Sequence, residues 1–475
     1  MKVLNTRTNE LEEFTPLHGN KVYMYVCGPT TYDYSHLGHA RTYIAYDVIA
    51  RYLRYKGYTV FFLMNITDVD DKIINRAKEE GVTPLELARR FEKHFFEDLK
   101  ALGITSINYF ARASEYITEI ISLVQRLIER GYAYETKTGV FFNVEMFPYY
   151  GQLSKRKPEE LTVHRIEPDP TKRHPADFAL WKKRESNEFG WDSPFGYGRP
   201  GWHVEDVAII LSHFGPQLDI HGGAIELIFP HHEAEVALAE AATGVRPFSK
   251  YWVHTGLLTV SGVKMSKSLG NFITIREALS KVDAEVLRFY FLMSHYRSPI
   301  DFEWSRLEQA RSSLEYLYGT IQQLINALTI DHITEREKSL LNEISILKSQ
   351  FLAAMDSDFN TPEAIAALFS IAREVNKVLS SQTFISRQTK EYVIGVFREL
   401  GGILGILQKE LRKPEELPFN DLVQLLIEVR DQLRRKKQYD LADKIRENLK
   451  NLGIVLEDTA TGTRWKRISS IPFKK

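Results

Sequence analysis

Residues able to do chemistry cluster in the stretch YVCGPTTYDYSHLGHARTY (25–43). It contains Cys27, the only cysteine of the chain, and the tetrad His36-Leu37-Gly38-His39. The tetrad lies where a predicted strand gives way to a helix, a common place for anion binding. Gly38 lets a flat ring or a phosphate approach the backbone, and both histidines can donate to phosphate oxygens. The tetrad therefore predicts a phosphate site; the alternative is two surface histidines, with Cys27 as a small apolar residue.

A second motif, KMSKS (264–268), follows a predicted strand and turn. Such a loop can fold over a triphosphate, so that Lys264 and Lys267 meet the charge that grows on a leaving pyrophosphate. A lone pair of lysines is usually part of a solvated loop, but the two motifs in this order on an α/β chain favour ATP chemistry. We assign catalysis to His36, His39, Lys264 and Lys267. The predicted ATP-binding residues are His36, Gly38, His39, Lys264, Ser266, Lys267 and Ser268.

The elements that position these motifs form a β-α-β unit. KVYMYV (21–26) is typical of a strand, and apolar periodicity predicts a helix from Leu37 to about Lys56. YTVFFLMNIT (58–67) is apolar almost throughout, as a strand buried on both faces should be. The unit predicts an α/β fold with a Rossmann-like parallel sheet. The sheet is expected to resume over 201–215, 218–230 and 251–262.

The rest of the chain divides into an insertion, a bundle and a tail. Residues 73–136 look helical, and residues 137–200 combine short strand patterns with many Lys, Arg, Pro and Gly. Strand patterns largely stop after about residue 303, where amphipathic helices are predicted over 303–328, 335–355, 361–381 and 387–408. The predicted domains are a catalytic domain over 1–302 with an insertion at about 110–200, a helical bundle over 303–411, and a small basic C-terminal domain over 412–475.

Composition restricts the class of protein. The chain has 475 residues, as many acidic as basic side chains, and one cysteine. A polyanionic partner must therefore bind local basic patches, and internal disulfides are excluded, which favours a reducing compartment. The start lacks the apolar core of a signal peptide, and no run approaches the about 18 apolar residues of a membrane helix. We expect a cytoplasmic protein without a membrane partner.

Further motifs give the chain a family resemblance. It resembles the class I aminoacyl-tRNA synthetases, and among them the cysteinyl-tRNA synthetase family, nearly from end to end. The motifs that carry the resemblance are MYVCGPTTYDYSHLGHARTY, MNITDVDDKI (64–73), DFALWK (177–182), GRPGWHVE (198–205), DIHGG (219–223), LIFPHHEAE (227–235), KMSKSLGNF (264–272) and LADKIRENLKNLGIVLEDTATGTRW (441–465). The resemblance implies ATP-dependent ligation of L-cysteine to tRNA(Cys) through a cysteinyl-adenylate, with magnesium accompanying the ATP.

The resemblance also implies one zinc ion, which binds the substrate thiolate. Cys27, His231 and Glu235 match three ligands of the family, and Asp206 stands where the family has a second cysteine. A carboxylate oxygen can ligate zinc, but this set has one thiolate instead of two. Neighbouring positions also depart from the family pattern: Ala224 replaces a glycine, Glu226 an aspartate and Ala234 an asparagine. The implied cysteine-binding residues are Cys27, Gly28, Thr67, Trp202 and Glu226.

The C-terminal half is expected to bind tRNA. By resemblance the bundle is an anticodon-binding domain, and the tail concentrates basic side chains and one aromatic residue: Arg430, Arg434, Arg435, Lys436, Lys437 and Trp465. Basic clusters bind phosphates, and an aromatic ring can stack on an unpaired base. We assign tRNA binding to Arg434, Arg435, Lys436, Lys437 and Trp465, and expect a monomer.

Two other functions remain open at this point. A relative that joins cysteine to an amine on a small molecule would lack the anticodon-binding region, which this chain has. A non-catalytic tRNA-binding or regulatory paralogue would account for Asp206, but not for two intact ATP motifs. The acidic run TDVDD (67–71) could bind magnesium, although such acids more often cap a helix.

Overall fold

The structure is a computed structural model that describes residues 1–156, 169–265, 270–382, 384–411, 419–459 and 462–467. These residues form two compact units, residues 1–409 and residues 410–475. Within the described ranges, no helix combines the length and the apolar character needed to cross a membrane.

The first unit contains both strands and helices. Its strands are β1 (Lys2–Asn5), β2 (Glu10–Glu13), β3 (Lys21–Val26), β4 (Thr59–Ile66), β5 (Tyr109–Arg112), β6 (Ala133–Glu135), β7 (Gly139–Phe142), β8 (Phe178–Lys183), β9 (Gly198–Pro200), β10 (Leu218–Ala224), β11 (Ser249–Thr255), β12 (Leu258–Val260), β13 (Val263–Lys264), β14 (Ile300–Phe302), β15 (Leu328–Ile330) and β16 (Phe384–Ser386). Its helices are α1 (Leu37–Tyr55), α2 (Asp71–Glu80), α3 (Pro84–Ala101), α4 (Ile117–Glu129), α5 (Trp202–Phe214), α6 (Glu233–Thr243), α7 (Ile275–Lys281), α8 (Ala284–Leu292), α9 (Trp304–Asn326), α10 (Glu335–Asp356), α11 (Thr361–Ser381) and α12 (Arg387–Leu404).

The centre of this unit is a five-stranded parallel sheet in the order β11-β10-β3-β4-β5. The predicted β-α-β unit is confirmed as β3, α1 and β4. Both strands are apolar on both faces because helices cover the sheet on each side, as parallel sheets require. The order places β3 and β10 side by side at the middle, so their carboxyl ends open at a shared edge.

Helix α1 is held by a buried carboxylate as well as by its apolar face. Asp47 pairs with Arg51 at 2.7 Å and with Arg288 of α8, and all but Arg51 are fully buried. Arg288 also donates to the carbonyl of Leu404 at 2.7 Å. In spite of burial, Arg288 and Arg51 hold the pKa of Asp47 below its ordinary value. The helix that carries the HLGH motif is thereby tied to α8 and to the end of α12.

Two sequence expectations are wrong in this unit. The range 73–136, expected to be helical, also contains β5, the outer strand of the parallel sheet, and β6. The range 201–215, expected to resume the sheet, is helix α5 instead. Its apolar residues are buried on nearly all sides, so its sequence has little amphipathic period and resembles a buried strand. The prediction that acids of TDVDD cap a helix is confirmed, since Asp70 accepts from the backbone N–H of Lys72 at 2.7 Å at the start of α2.

The inserted segment forms its own antiparallel sheet in the order β6-β7-β8-β9. It is linked to the start of α2 because Asp71, the first residue of that helix, pairs with Lys182 at 3.0 Å and with Arg199. The predicted long helices after residue 303 are confirmed as α9 to α12, which pack on one another and on α1. The hydroxyl of Tyr52 donates to Asp356 at 2.7 Å across that contact.

The second unit is a small helical hairpin with a β-ribbon: α13 (Phe419–Arg435), α14 (Tyr439–Asn451), β17 (Ile454–Thr459) and β18 (Gly462–Arg467). Its core contains Val423, Ile427, Leu449, Ile454 and Leu456. Arg430, which the sequence groups with the basic residues of the tail, is fully buried and makes two hydrogen bonds to Asp458, at 2.9 and 2.7 Å. It is directed towards the ribbon and does not share the exposed surface of Arg434 and Arg435.

Candidate active site

One cavity joins the two groups of residues that the sequence singles out. It has a volume of about 240 Å³ and opens at the carboxyl ends of β3, β10 and β11. Its lining includes Cys27, Gly28, His36, Gly38, His39, Trp202, Glu226 and Lys264. The site geometry thus brings the predicted cysteine pocket and the predicted ATP motifs together. Thr67 is not in this lining; its carbonyl accepts from the backbone N–H of Thr31 at 3.1 Å.

The HLGH histidines cap α1 with their own side chains. His36 is the N-cap residue, and its Nδ1 accepts from the backbone N–H of Gly38 at 3.0 Å. Nδ1 of His39 accepts in return from the backbone N–H of His36 at 3.2 Å, and the two rings stack at 3.9 Å. Gly38 is required here, because a Cβ at this position would lie 2.8 Å from the ring of His36.

Both histidines are neutral, which sets what they can do for a phosphate. Burial lowers the pKa of His36 to about 4, and burial with His36 nearby lowers the pKa of His39 well below its ordinary value. Since each Nδ1 accepts a backbone N–H, the proton of each neutral ring resides on Nε2. The pair therefore offers two Nε2–H donors, not two positive charges.

The first lysine of KMSKS faces the same cavity. Lys264 follows the turn between β12 and β13, and its ammonium pairs with the carboxylate of Glu226. Both side chains are partly exposed, so this contact is open to exchange with a bound substrate. Ser266, Lys267 and Ser268 lie outside the described residues, and their assignments stay predictions.

Buried donor atoms surround the thiol of Cys27. Cys27, His231, His232 and Glu235 each place one donor atom within 4.8 Å of the others. Sγ of Cys27 lies 3.2 Å from Nε2 of His232 and 3.8 Å from Glu235. Nε2 of His231 lies 2.8 Å from Glu235, which confirms that their spacing of four residues points both side chains the same way.

Asp206 joins this cluster through one oxygen. Its Oδ2 lies 2.9 Å from Nε2 of His231 and 3.6 Å from Sγ of Cys27. The cluster thus contains the four residues that the resemblance implies, Cys27, Asp206, His231 and Glu235, and also His232. Sequence reasoning did not assign His232 to the metal. The adjacent pair of histidines at the start of α6 was the only indication of it, and the spacing does not say which ring turns inwards.

Cys27 and His231 both hold their protons more tightly than usual in this cluster. Burial, reinforced by Glu235 and Asp206, raises the pKa of the Cys27 thiol well above its usual range. Burial opposes charge on His231, but Glu235 and Asp206 outweigh it and raise the pKa of His231 to about 10. A thiol, imidazoles and carboxylates at these separations are the donor types that zinc binds, so the residues present fit a zinc ion.

Two aromatic rings close the site. Trp202 is 40 % exposed and stacks on His231 with ring centroids 4.2 Å apart. On the opposite side, Trp252 stacks on His221 at 4.1 Å, and Nε2 of His221 lies 2.5 Å from Oε2 of Glu235. Trp202 lines the cavity as the resemblance implies, while Trp252 is fully buried and does not line it.

The predicted tRNA contacts lie in the second unit. Arg434, Arg435, Lys436 and Lys437 are exposed at the end of α13, and Arg434 lies 3.7 Å from Asp458. Trp465 is partly buried and packs against the core of this unit. Nothing in the contacts of these residues tests their binding to tRNA, and the assignment stays a prediction.

Comparison with known proteins places this geometry in a family. Residues 13–312 match the model of the tRNA synthetases class I (C) catalytic domain, and residues 350–408 match the DALR domain. The chain is 48% identical to a cysteine--tRNA ligase of Thermococcus gammatolerans, with 98% of this chain and 99% of that protein covered. It is 45% identical to a cysteine--tRNA ligase of Persephonella marina, with 98% and 99% covered.

Solved structures support the fold. A Mycobacterium tuberculosis methionyl-tRNA synthetase in complex with methionyl-adenylate matches with a TM-score of 0.62 at 18% identity, over 85% of this chain and 96% of that one. A putative arginyl-tRNA synthetase of Campylobacter jejuni matches with a TM-score of 0.56 at 14% identity, over 82% and 93%. With the catalytic and DALR matches and the full-length relatives, the chain belongs to the cysteine--tRNA ligase family of class I aminoacyl-tRNA synthetases.

Proposed function

We propose that this protein activates L-cysteine with ATP and transfers it to tRNA(Cys), using the cavity at the carboxyl ends of β3, β10 and β11. The observation that carries the proposal is that Cys27, the HLGH histidines and Lys264 line one cavity of about 240 Å³. A thiol-lined pocket that continues into a phosphate-binding motif suits a reaction between an amino acid and a nucleoside triphosphate.

The reaction needs no nucleophile from the protein. The carboxylate of cysteine attacks the α-phosphorus of ATP, a P–O bond forms to the amino acid, and the bond to pyrophosphate breaks. Magnesium accompanies the ATP and neutralises part of its charge. A 2′ or 3′ hydroxyl of the terminal tRNA adenosine then attacks the carbonyl of the adenylate, and AMP leaves. The protein acts by orienting the reactants and by stabilising phosphate charge.

His36 and His39 stabilise that charge as neutral donors. Their Nδ1 atoms are held by backbone N–H groups, so each Nε2–H is directed by the capping geometry of α1. A donor fixed in this way costs no reorganisation when the transition state forms. We assign the same task to the KMSKS loop, with Lys264 leaving Glu226 for the phosphates and Lys267 following pyrophosphate as it leaves.

The amino-acid end of the cavity selects the thiol. Cys27, Asp206, His231 and Glu235 would hold one zinc ion, with His232 as the alternative to Asp206. When bound, zinc supplies a Lewis acid that favours thiolate over hydroxyl and so separates cysteine from serine. Glu226 is placed to accept the ammonium of the amino acid, Gly28 gives it access to the backbone, and Trp202 covers the pocket. We also assign Thr67 to cysteine binding at this end of the cavity, where its Oγ1 accepts from the side-chain amide of Asn65 at 3.1 Å.

The remaining parts serve tRNA. The bundle α9 to α12 contains the DALR match, which supports an anticodon-binding role. We assign phosphate contacts to Arg434, Arg435, Lys436 and Lys437, and base stacking to the partly exposed ring of Trp465. We also propose that the protein acts as a monomer, since catalytic cavity and bundle lie in one chain, and in the cytoplasm, where a free thiol stays reduced.

Cysteine-dependent exchange of pyrophosphate into ATP tests the first step. We expect exchange with cysteine, none with serine, and loss of exchange on chelation with recovery on adding zinc. Aminoacylation of tRNA(Cys) tests the second step and separates it from ligation to a small amine. Absence of exchange with and without tRNA would refute the proposal; exchange that ignores chelation would refute the zinc assignment alone.

A matched pair of lysine variants tests the KMSKS assignment. Lys267→Ala should lower the exchange rate by about 10²–10³-fold, the usual effect of losing one group that stabilises transition-state charge. Lys281→Ala is the control, because Lys281 is an exposed lysine of α7 that contacts Glu277 and the ring of Trp304, and none of these residues lines the cavity. Equal rates for the two variants would contradict the assignment of Lys267.

A further inference from the structure

The two oxygens of Asp206 have different surroundings. Oδ2 is directed into the cluster, 2.9 Å from Nε2 of His231 and 3.6 Å from Sγ of Cys27. Oδ1 is directed away and accepts from the side-chain amide of Asn65 at 2.7 Å. The carboxyl group is 1% exposed, so neither oxygen exchanges this partner for bulk water.

The side chain of Asn65 is itself held by the backbone of Gly28, the residue after Cys27. It is 1% exposed near the end of β4, and its Oδ1 accepts from the backbone N–H of Gly28 at 2.6 Å. Because that backbone group can only donate, the side-chain oxygen of Asn65 must face Gly28 and its NH₂ must face Asp206. The NH₂ group also lies 3.1 Å from Oγ1 of Thr67.

The backbones at Gly28 and Asn65, at the ends of β3 and β4, lie very close together. A Cβ at position 28 would lie 1.8 Å from the carbonyl oxygen of Asn65, so only glycine permits the two strand ends to lie this close. One side chain therefore links the residue after Cys27 to the carboxylate of Asp206, and its position is set by the parallel pairing of β3 and β4.

A carboxylate at position 206 raises a problem that a cysteine does not. A cysteine offers a metal ion one sulfur atom, whereas a carboxylate can offer one oxygen or two. An amide donor that occupies one oxygen leaves a single donor atom. Partners of this kind commonly orient metal ligands, and their loss typically costs about 10–100-fold in metal affinity or activity.

We propose that Asn65 is a positioning residue that holds Oδ1 of Asp206, so that Asp206 presents only Oδ2 to a zinc ion and replaces one sulfur with one oxygen. The proposal rests on the zinc site of the proposed function. It assigns a task to Asn65 that depends on the carboxylate at position 206, and this dependence can be tested by a cycle of variants.

The cycle uses the full-length protein as Asn65→Ala, Asp206→Cys and the double variant, with Asn143→Ala as the matched control. Asn143 is also a buried asparagine, but it belongs to the inserted segment. Its side-chain oxygen accepts from the backbone N–H of Glu145, two residues further along the chain. Zinc affinity is measured by competition with a chelator, and coordination by the visible absorption of the Co²⁺-substituted protein, whose d–d bands weaken when a tetrahedral site gains a ligand.

We expect Asn65→Ala to weaken zinc binding by about 10–100-fold, because the carboxylate of Asp206 loses the partner that orients it. The Co²⁺ bands should also weaken, because Asp206 is then free to bind through both oxygens. In the Asp206→Cys background the same change should alter zinc affinity by less than about 3-fold. Asn143→Ala should leave both readouts as in the wild type. If Asn65→Ala does not fold, Asn65→Leu replaces it, since leucine keeps most of the side-chain volume while it offers neither an acceptor to Gly28 nor a donor to Asp206.

Three results would overturn the proposal. Equal losses of zinc affinity with Asp and with Cys at position 206 would mean that Asn65 acts through Gly28 alone. Unchanged zinc affinity and Co²⁺ bands in Asn65→Ala would mean that it does not position the ligand. A wild-type protein that binds no zinc would remove the site itself, while pyrophosphate exchange would show separately whether the proposed activity stands.

Discussion

Replacing His36 by asparagine separates the two tasks that the structure gives this side chain. His36 accepts a hydrogen bond from the backbone N–H of Gly38 as the N-cap of α1, and the same side chain lines the cavity. Asparagine is among the best N-cap residues, so His36→Asn keeps the cap but leaves no N–H at the position of Nε2. His36→Ala removes both.

The magnitudes differ for the two losses. Replacing a capping side chain by alanine costs about 1 kcal/mol of stability, within a range of about 0.5–2 kcal/mol. Losing one donor to transition-state charge lowers kcat by about 10²–10³-fold, or about 2.7–4 kcal/mol. At pH 7 we therefore expect both variants to lose exchange activity by this factor, with urea unfolding showing an added cost of about 1 kcal/mol in His36→Ala only.

At low pH, His36→Asn is expected to be more stable than the wild type. In the folded protein the pKa of His36 is about 4, against 6.5 for the ordinary side chain. Below pH 6.5 the unfolded chain takes up a proton that the folded chain does not, so His36 destabilises the protein as the pH falls towards 4. At pH 5 this amounts to roughly 2 kcal/mol, from about 1.5 pH units at about 1.4 kcal/mol each. His36→Asn should therefore gain that stability relative to the wild type.

The assays are pyrophosphate exchange at pH 7 and urea unfolding at pH 7 and pH 5. His332→Asn is the control, because His332 is an exposed residue before α10. Full exchange activity in His36→Asn would refute the donor role and leave His36 as a cap. Equal stability of wild type and His36→Asn at both pH values would refute the conclusion that this imidazole is neutral when the protein is folded.

Three further outcomes follow from buried groups. Asp47→Asn should cost about 3–5 kcal/mol in urea unfolding, because Arg288 is left buried without its charge partner; a cost below about 1 kcal/mol would contradict the account of how α1 is held. Cys27→Ser should lose zinc in a chelator competition, and added zinc should no longer raise its Tm above that of the chelated protein. An unchanged zinc content would exclude Cys27 as a ligand. Arg430→Met should disrupt the tail unit by releasing Asp458, raising KM for tRNA while cysteine-dependent exchange is unaltered; unchanged KM would exclude the tail from tRNA binding.

Local patterns allowed the centre of the fold to be predicted. β3, α1 and β4 have apolar patterns that depend on neighbours a few residues away, and the structure has these elements within about one residue of the predicted bounds. His231 and Glu235 could be paired because a spacing of four residues has one meaning on a helix. The HLGH motif could be placed at a helix start because the apolar periodicity of α1 begins at Leu37, within the motif.

What the sequence could not reveal depends on contacts between distant segments. Helix α5 is buried on nearly all sides, so its polar residues do not repeat with a helical period and it resembles a strand. Asn65 belongs to a motif that carried the family resemblance, but its contact with Asp206 joins positions 141 residues apart. The direction of the His232 ring likewise depends on His254 of β11, whose Nε2 lies 2.8 Å from Nδ1 of His232.

The same arrangement recurs at both carboxylates of the cluster. Oε2 of Glu235 is held by His221 at 2.5 Å and Oε1 faces His231 at 2.8 Å. Oδ1 of Asp206 is held by Asn65, and Oδ2 faces His231. Each acid therefore offers one oxygen to the space beside Cys27, although either could in principle offer two. In the proposed zinc site, one atom from each of these residues would leave a position for the sulfur of the substrate, which a site that selects a thiol over a hydroxyl requires.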